Sequence, residues 1–454
     1  MIDISEQKTT WKRVIKLGWP ITLEQLLNTL MRTVDVIVTG LFSPVAVAAV
    51  GLADLYAQIP LRVGLGLGTA SIAMSSQDTG RGAVTTRDRV VTQAMLIGGL
   101  CGLPFVIIGI FFSNVFIEIL GAESEVVRLG GIYLMIVFAA APMRIVSLVG
   151  ARSLQGAGDT RTPLLVNGSA NIVNIVVTVL LGLGLFGFPN LGVIGVGIGT
   201  FVGRTTEMVV IVGLFLSSYT SISFDRRFDY TITKQIVSLS VPNFLEGMST
   251  SLANFPFNAL LLLFGTEANA AYHIGRRIFQ QITSPVSRSF SIVTSIIIGQ
   301  TLGEGRPQVA QKKLGYIVYF SVTVLFAISI ILFVIAEPLI PRFTTDQTTA
   351  DYAITFTKVF SVSTVLFGTF FTLAGALRGA GDTRTPFYAR LTGVVLCMLG
   401  ISYFLGVILE YGLSGIYVGI VATYAVWVII AYLGIKYGGW LQIAESLISE
   451  RDQI

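Results

Sequence analysis

Twelve apolar segments divide this chain, and each is long enough to cross a membrane as a helix of about 20 residues. Only 12% of the 454 residues are charged and 53% are hydrophobic, whereas a soluble domain needs far more charge to cover its surface. This balance excludes a soluble enzyme, a disordered chain and a disulfide scaffold. It predicts an all-α polytopic membrane protein. The segments lie near residues 14–39, 45–76, 90–113, 127–153, 163–186, 192–218, 236–264, 268–299, 314–336, 351–376, 386–409 and 412–436.

The positive charges predict the orientation. Lys and Arg concentrate in the N-terminal tail and in the even-numbered links between segments, such as Arg81, Arg87 and Arg89 in the second link. The third link instead holds Glu118 and Glu123. Because cytoplasmic links carry the excess of Lys and Arg, we expect a multi-pass protein of the plasma membrane with both termini in the cytoplasm. The net charge of +5 is then a topology signal and not a sign of nucleic-acid binding.

The chain repeats itself at an offset of 222–223 residues. LQGAGDTRTP at 154–163 returns as LRGAGDTRTP at 377–386, with nine of ten residues identical. GWPITLE at 18–24 is echoed by SVPNFLE at 240–246. Each half holds six segments, so both halves enter the membrane in the same orientation. Such duplication predicts two six-helix lobes related by a pseudo-twofold axis along the membrane normal, which is typical of secondary transporters.

The repeat sets the predicted domain boundaries. We expect an N-terminal lobe at residues 1–222 with helices 1–6, and a C-terminal lobe at residues 223–454 with helices 7–12. Within the first GAGDTRTP copy, Gly156 and Gly158 are expected to end the fourth span in a left-handed stop. Thr162 is expected to cap the next helix, and the second copy should do the same.

These motifs together resemble the multidrug and toxic compound extrusion (MATE) family. They are the doubled GAGDTRTP, AAYHIG at 270–275 in the eighth segment, and FGFPNLGVIGVGIGT at 186–200. The resemblance covers essentially the whole chain. It implies two six-helix lobes around a central cleft, and export of cationic or amphiphilic compounds driven by inward flow of H⁺ or Na⁺. Asp35 matches the acidic position of the family's DinF-like and archaeal branches.

Asp35 is the leading candidate for binding the coupling cation. A carboxylate inside a span must face protein or water, and Arg32, one turn earlier, is an alternative partner in a structural salt bridge. By the resemblance, Asn174 and Thr200 match family positions, whereas Thr178 stands where the archaeal branch has Asp. The predicted site is therefore Asp35 with the neutral oxygens of those three residues. It binds a proton or Na⁺, and no other metal site is expected.

Further polar residues are predicted to line the substrate cleft. Asn167, Asn171 and Asn174 form a polar stripe on one face of the fifth segment. This stripe also suits hydrogen bonding between helices. Asp54 aligns with Arg276 in the repeat, which suits either an ion pair between lobes or a static structural pair. His273 is expected to make a structural hydrogen bond, with a protonation switch as the alternative. The candidates are Glu24, Asn28, Asp54, Gln58, Arg62, Asn171, Glu246, His273, Arg277 and Gln280.

The favoured function is a cation-coupled antiporter that works by alternating access of the central cleft. The alternative is a flippase for lipid-linked precursors, which Arg62, Arg276 and Arg277 keep open. An enzyme is not expected, because the chain has no HExxH motif and no Ser/His/Asp set. No cofactor is expected besides the coupling ion. The expected partners are small organic substrates and membrane lipids, without nucleic acid, and the protein is expected to be a monomer.

Overall fold

The computed structural model describes residues 4–217 and 219–453, and it contains helices and no strands within these ranges. The first half holds α1 (Ile4–Gly40), α2 (Pro44–Gly80), α3 (Val84–Glu118), α4 (Ser124–Ala139), α5 (Ala141–Gly156), α6 (Arg161–Leu183) and α7 (Val193–Leu216). The second half holds α8 (Tyr230–Leu262), α9 (Thr266–Gly303), α10 (Pro307–Leu339), α11 (Gln347–Ala380), α12 (Arg384–Thr392), α13 (Leu413–Tyr437) and α14 (Trp440–Asp452).

These helices cover all twelve predicted segments. The fourth is broken, because α4 and α5 meet at Ala140 with a bend of 44°. In the eleventh, α12 continues as π-helix over Gly393–Ile401 and Phe404–Ile408. By length and composition, nine helices of the described ranges qualify as spans, or ten with the bent pair, and the polar α1 and α8 are not among them. The predicted end of the sixth segment at 218 lies outside the described residues.

By its contacts the chain divides into two compact units. The N-terminal unit is Leu23–Ser240, and the C-terminal unit joins the part of α1 up to Thr22 to Val241–Gln453. The predicted lobes, 1–222 and 223–454, place their boundary differently and stay a prediction. The core of the C-terminal unit is aromatic: Phe279 stacks on Phe360 with ring centroids 5.1 Å apart.

The two GAGDTRTP copies end one helix and start the next in the same way. Gly158 and Gly381 adopt left-handed φ angles of +95° and +96°, as expected. Asp159 Oδ1 accepts hydrogen bonds from the backbone N–H groups of the next two helical residues, at 3.1 and 3.0 Å. Asp382 Oδ1 repeats this arrangement with the same distances. The prediction that Thr162 caps the helix was wrong, because the aspartate precedes it and reaches the free N–H groups first.

A stripe of glycines brings α6 and α7 into close contact. Gly195, Gly199 and Gly203 recur every four residues on one face of α7. A side chain at position 199 would overlap the hydroxyl of Thr178, and a Cβ at position 203 would lie 2.8 Å from Asn174 Cβ. Small residues at this spacing let the backbones of two membrane helices approach. The stripe thereby presses Asn174 and Thr178 against α7.

Candidate functional site

Two contacts fix how α1 lies against α6 in the N-terminal unit. Asn171 Nδ2 donates to Asn28 Oδ1 at 3.3 Å. Further along both helices, Val38 Cγ1 lies 3.5 Å from the Cβ position of Gly182. The helices therefore run in the same direction, and their contacts join residues that are 140–144 positions apart.

This register brings Asp35 level with Thr178. On the other neighbour, α7, the side chain of Arg204 reaches Met31 with an Nη2–Sδ distance of 4.0 Å. Since α7 runs antiparallel to α1, residues one turn before Arg204 in α7 lie beside residues one turn after Met31 in α1. Thr200 is therefore level with Asp35. Asp35 itself is buried, with 9% of its surface exposed. Three helices thus deliver oxygen-bearing side chains to one level of the unit.

Four buried oxygens at this level or one helical turn from it have no hydrogen-bond partner among the described residues. They are Oδ1 of Asp35, Oδ1 of Asn174, Oγ1 of Thr178 and Oγ1 of Thr200. A buried polar group left unpaired costs about 1–3 kcal/mol, and native structures hold few of them. One carboxylate with three neutral oxygens is a donor set that suits a hard cation or a proton. These are the four residues that the sequence predicted for the cation site.

The alternative salt bridge of Asp35 with Arg32 is not formed. In the described ranges, no ion pair within 4 Å joins Arg32 to any carboxylate, and the Arg32 side chain is exposed. The charges that act on Asp35 from a greater distance are those of Asp54, Arg204 and Arg32. Asp35 is therefore held near both signs of charge without a direct ionic partner.

The asparagine stripe of α6 belongs to a hydrogen-bonded network. Asn171, which bonds Asn28, also donates to Asn167 Oδ1 at 3.0 Å. Asn167 Nδ2 donates to Glu207 Oε1 at 3.4 Å, and Arg204 Nη1 pairs with the other oxygen of Glu207 at 2.8 Å. The network connects α1, α6 and α7. Hydrogen bonding between helices therefore accounts for Asn167 and Asn171. The third asparagine of the stripe, Asn174, keeps an unpaired side-chain oxygen.

Glu24 lies in a second buried network. Its side chain is 5% exposed, and its Oε2 accepts a hydrogen bond from Gln155 Nε2 at 2.9 Å. Gln155 in turn accepts from Arg152 Nη1 at 2.9 Å. The direct partner of Glu24 is thus the neutral amide of Gln155. The cationic Arg152 contacts that amide and not the carboxylate.

Glu246, the repeat counterpart of Glu24, has two cationic partners in the C-terminal unit. Arg378 Nη2 lies 2.7 Å from each carboxylate oxygen, and Arg390 Nη1 donates to Oε1 at 3.0 Å. The Glu246 residue is 2% exposed. Its assignment as a substrate contact stays a prediction, and the structure places it in a buried ionic cluster.

The other candidates lie on α2 and α9. Asp54 is exposed and Gln58 and Arg62 are half-buried on α2, while His273, Arg277 and Gln280 are exposed on α9. The His273 ring contacts that of Tyr272, with centroids 5.4 Å apart, but it makes no hydrogen bond within the described ranges. The expected structural hydrogen bond of His273 is therefore not formed. Arg276 donates to Asn254 Oδ1 at 2.9 Å inside its own unit.

Sequence reasoning missed several residues of these networks. Arg144, Arg152 and Arg204 lie within spans and were not singled out, although any arginine inside an apolar segment marks a site of interest. The partner of Glu24 was also missed. Its signal was the single mismatch of the repeated decapeptide, where Gln155 in one copy corresponds to Arg378 in the other.

Duplicated bundles of membrane-length helices that gather polar groups inside the spans define a secondary transporter. The comparison with known families agrees with this class. The family model described as MatE matches residues 20–180 and 242–404, one match in each half of the chain. The chain belongs to the MatE family, so it is a secondary transporter and not an enzyme.

Relatives and solved structures match along most of the chain. A probable multidrug resistance protein NorM of Thermotoga maritima is 27% identical over 433 residues, 90% of this chain and 89% of that protein. The FAD transporter of Shewanella oneidensis is 26% identical over 358 residues, 77% and 76% of the two chains. The outward-facing conformation of a multidrug resistance MATE family transporter of the MOP superfamily superposes with a TM-score of 0.86, at 21% identity, over 96% of both chains. The all-α fold with twelve transmembrane helices in two six-helix lobes is thereby confirmed.

Proposed function

We propose that the protein is a cation-coupled antiporter that exports cationic or amphiphilic organic compounds by alternating access. H⁺ or Na⁺ binds at Asp35, assisted by Asn174, Thr178 and Thr200. The observation that carries the proposal is the set of four unpaired buried oxygens within about one helical turn of each other in the N-terminal unit. The multidrug name of the Thermotoga relative supports the substrate class.

The energetics of this site favour a bound cation. With the site empty, four buried oxygens lack partners, and each costs about 1–3 kcal/mol. A proton on Asp35 removes its charge, and a Na⁺ ion bound to the Asp35 carboxylate gives the oxygens that face it a partner. Because these oxygens lie on α1, α6 and α7, loading and unloading the site changes how tightly the three helices hold together. A ligand that binds one arrangement better shifts the transporter toward it.

The membrane potential supplies the driving energy. Each elementary charge that crosses the membrane releases about 2.3 kcal/mol per 100 mV. At 100 mV one net charge therefore supports roughly a 50-fold gradient of substrate, and two net charges roughly a 2,000-fold gradient. The coupling ion is the only cofactor in this scheme. The scheme places a monomer in the plasma membrane, surrounded by lipid, with both termini in the cytoplasm.

Transport by reconstituted protein tests the proposal. Proteoliposomes are loaded with the fluorescent cation rhodamine 123, and its flux is followed under an imposed proton or Na⁺ gradient. We expect one gradient to drive flux in the wild type and the Asp35→Asn variant to lose the driven part. Asp351→Asn, at an exposed carboxylate near the start of α11, is the control and should transport normally. Full driven flux in Asp35→Asn would contradict the coupling role.

A flippase for lipid-linked precursors is the second candidate function. Arginines within the spans of the N-terminal unit, among them Arg32, Arg144 and Arg204, favour it because lipid-linked precursors carry phosphates. Vesicles that hold a fluorescent lipid-linked oligosaccharide distinguish the two functions. Flipping of that lipid without dye flux under either gradient would replace the antiporter by the flippase.

A further inference from the structure

Three arginines lie deep in membrane-spanning helices of the N-terminal unit. Arg32 precedes the outer end of α1 by about 12 Å, and Arg204 lies three turns into α7. Arg144 follows the bend between α4 and α5 and lies about 18 Å from the end of α5. A guanidinium at such depth does not face lipid, because its transfer there is costly, so it faces protein or water.

The packing puts the three guanidinium groups at one level. The side chain of Arg204 touches Met31, the residue next to Arg32. On the other side of α7, Gly150 packs directly against Ile211. Since α5 and α7 run in the same direction, this contact places position 144 opposite position 205.

Only one of the three arginines has an ionic partner in the described ranges. Arg204 pairs with Glu207 at 2.8 Å. Arg32 and Arg144 make no side-chain hydrogen bond or ion pair there, and the like charges of Arg204 and Arg32 act on Arg144. Arg32 is exposed and Arg144 is half-buried, so both guanidinium groups are open to a ligand.

The carboxylates around this pair form no ion pair with it. Asp54 acts electrostatically on both Arg32 and Arg144, while Asp35 acts on Arg32 and Glu207 acts on Arg144. In the described ranges no ion pair within 4 Å joins any of these acids to either arginine. Both guanidinium groups therefore lack a direct ionic partner. Fixed, planar donors of this kind recognise carboxylate and phosphate in a bidentate geometry.

We propose that Arg32 and Arg144 together bind an anionic group, a carboxylate or a phosphate, of the organic substrate. The inference rests on the proposed antiport and narrows its substrates from simple cations to amphiphilic compounds that carry an anionic group. A water-soluble solute is the favoured source of that group, because lipid headgroups lie at the membrane surface and the two arginines lie several turns inside their spans.

A matched pair of dyes tests the charge of the ligand. Rhodamine 110 has a free carboxylate, and rhodamine 123 is its methyl ester. We expect the purified protein to bind rhodamine 110 about tenfold more tightly or better, because a hydrogen-bonded anion between two guanidinium groups is lost in the ester. Equal or tighter binding of the ester, or failure to bind rhodamine 110, would overturn the proposal.

Substitutions locate the anion. Arg32→Gln and Arg144→Gln should each weaken rhodamine 110 binding about tenfold and leave rhodamine 123 binding unchanged. Asp54→Asn should strengthen rhodamine 110 binding, because it removes a negative charge that repels the dye carboxylate. Asn has nearly the same size as Asp, so the substitution does not disturb the packing of α2. Arg226→Gln, on the exposed link between α7 and α8, is the control. Equal loss for both dyes in the arginine variants would contradict an anion-specific role.

Two readouts separate this proposal from its alternatives. Phosphate analysis of the purified protein detects bound lipid. A lipid phosphate that is lost in Arg32→Gln, without dye binding by the wild type, would overturn the assignment to a soluble solute. Binding that prefers rhodamine 110 but no flux of either dye under any cation gradient would support the anion site and contradict the antiport.

Discussion

Both carboxylate oxygens of Glu246 lie 2.7 Å from Nη2 of Arg378, inside the C-terminal unit. In the first copy of the repeat the same position is Gln155, and it donates an amide hydrogen bond to Glu24. The two decapeptides differ at this one position. The duplication therefore keeps the scaffold of both halves and changes the charge that faces the glutamate.

This difference predicts unequal effects of the same substitution. Glu246→Gln leaves two partly buried arginines, whose side chains are 11% and 15% exposed, without their anion and should cost about 3 kcal/mol of unfolding free energy. Glu24→Gln keeps an oxygen that accepts from Gln155, so it should cost less than about 1.5 kcal/mol. Thermal unfolding of both variants in detergent measures the difference. Equal destabilisation would contradict the account of the two networks.

The glycine stripe predicts a packing defect with a matched control. Gly199→Val would force a side chain into the Thr178 hydroxyl and should cost about 1–3 kcal/mol or more, with loss of cation binding. Gly213, on the same helix, has no atom within 4 Å of its Cβ position, so Gly213→Val should be much milder. Unfolding temperature and Na⁺ or proton binding are measured for both. A harmless Gly199→Val would show that α6 and α7 are not held so closely.

The link between α7 and α8 predicts a pH effect outside the membrane spans. The backbone N–H of Arg227 at 3.0 Å and the Arg89 side chain at 3.2 Å lower the pKa of Asp225. A carboxylate with a lowered pKa stabilises the fold above its unfolded pKa of about 3.9, and this stabilisation is lost as the pH falls through the folded pKa. Asp225→Asn should therefore unfold at a lower temperature than the wild type at pH 7.

That difference should close on acidification. Because Asp225 is partly exposed, its salt bridge is worth about 1 kcal/mol or less. Below about pH 4 the unfolded chain binds a proton at this carboxylate first, so the difference should shrink, and the two proteins should converge as the pH falls through the lowered folded pKa. Unfolding curves between pH 7 and pH 3 check this. A gap that stays constant over this range would contradict an ionised Asp225 in the folded state.

The spans could be predicted from hydropathy because the membrane requires about 20 apolar residues of each helix. Local departures from a regular α-helix could not be predicted with the same accuracy. The π-helix at Gly393–Ile401 has no signal in the hydropathy pattern, and it begins at a glycine that packs directly against Trp427. The break of the fourth span lies at Ala140, two residues before the proline that suggested a kink.

The candidate cation site was predicted because the resemblance supplied positions on three helices. Helical spacing alone gives the direction of a side chain but not its neighbour on another helix. For this reason Arg32 was considered as a partner of Asp35, whereas the structure leaves the pair unbonded. The level shared by Arg32, Arg144 and Arg204 depends on the register of three helices, which spacing within one helix does not contain.

Cation release on substrate binding tests the central claim most directly. Purified protein in weakly buffered solution is titrated with the rhodamine that it binds, while a pH indicator and radioactive Na⁺ report the released ion. The account predicts that the wild type releases one of the two cations and that Asp35→Asn binds the dye without releasing any. The same release from Asp35→Asn as from the wild type would contradict the coupling site.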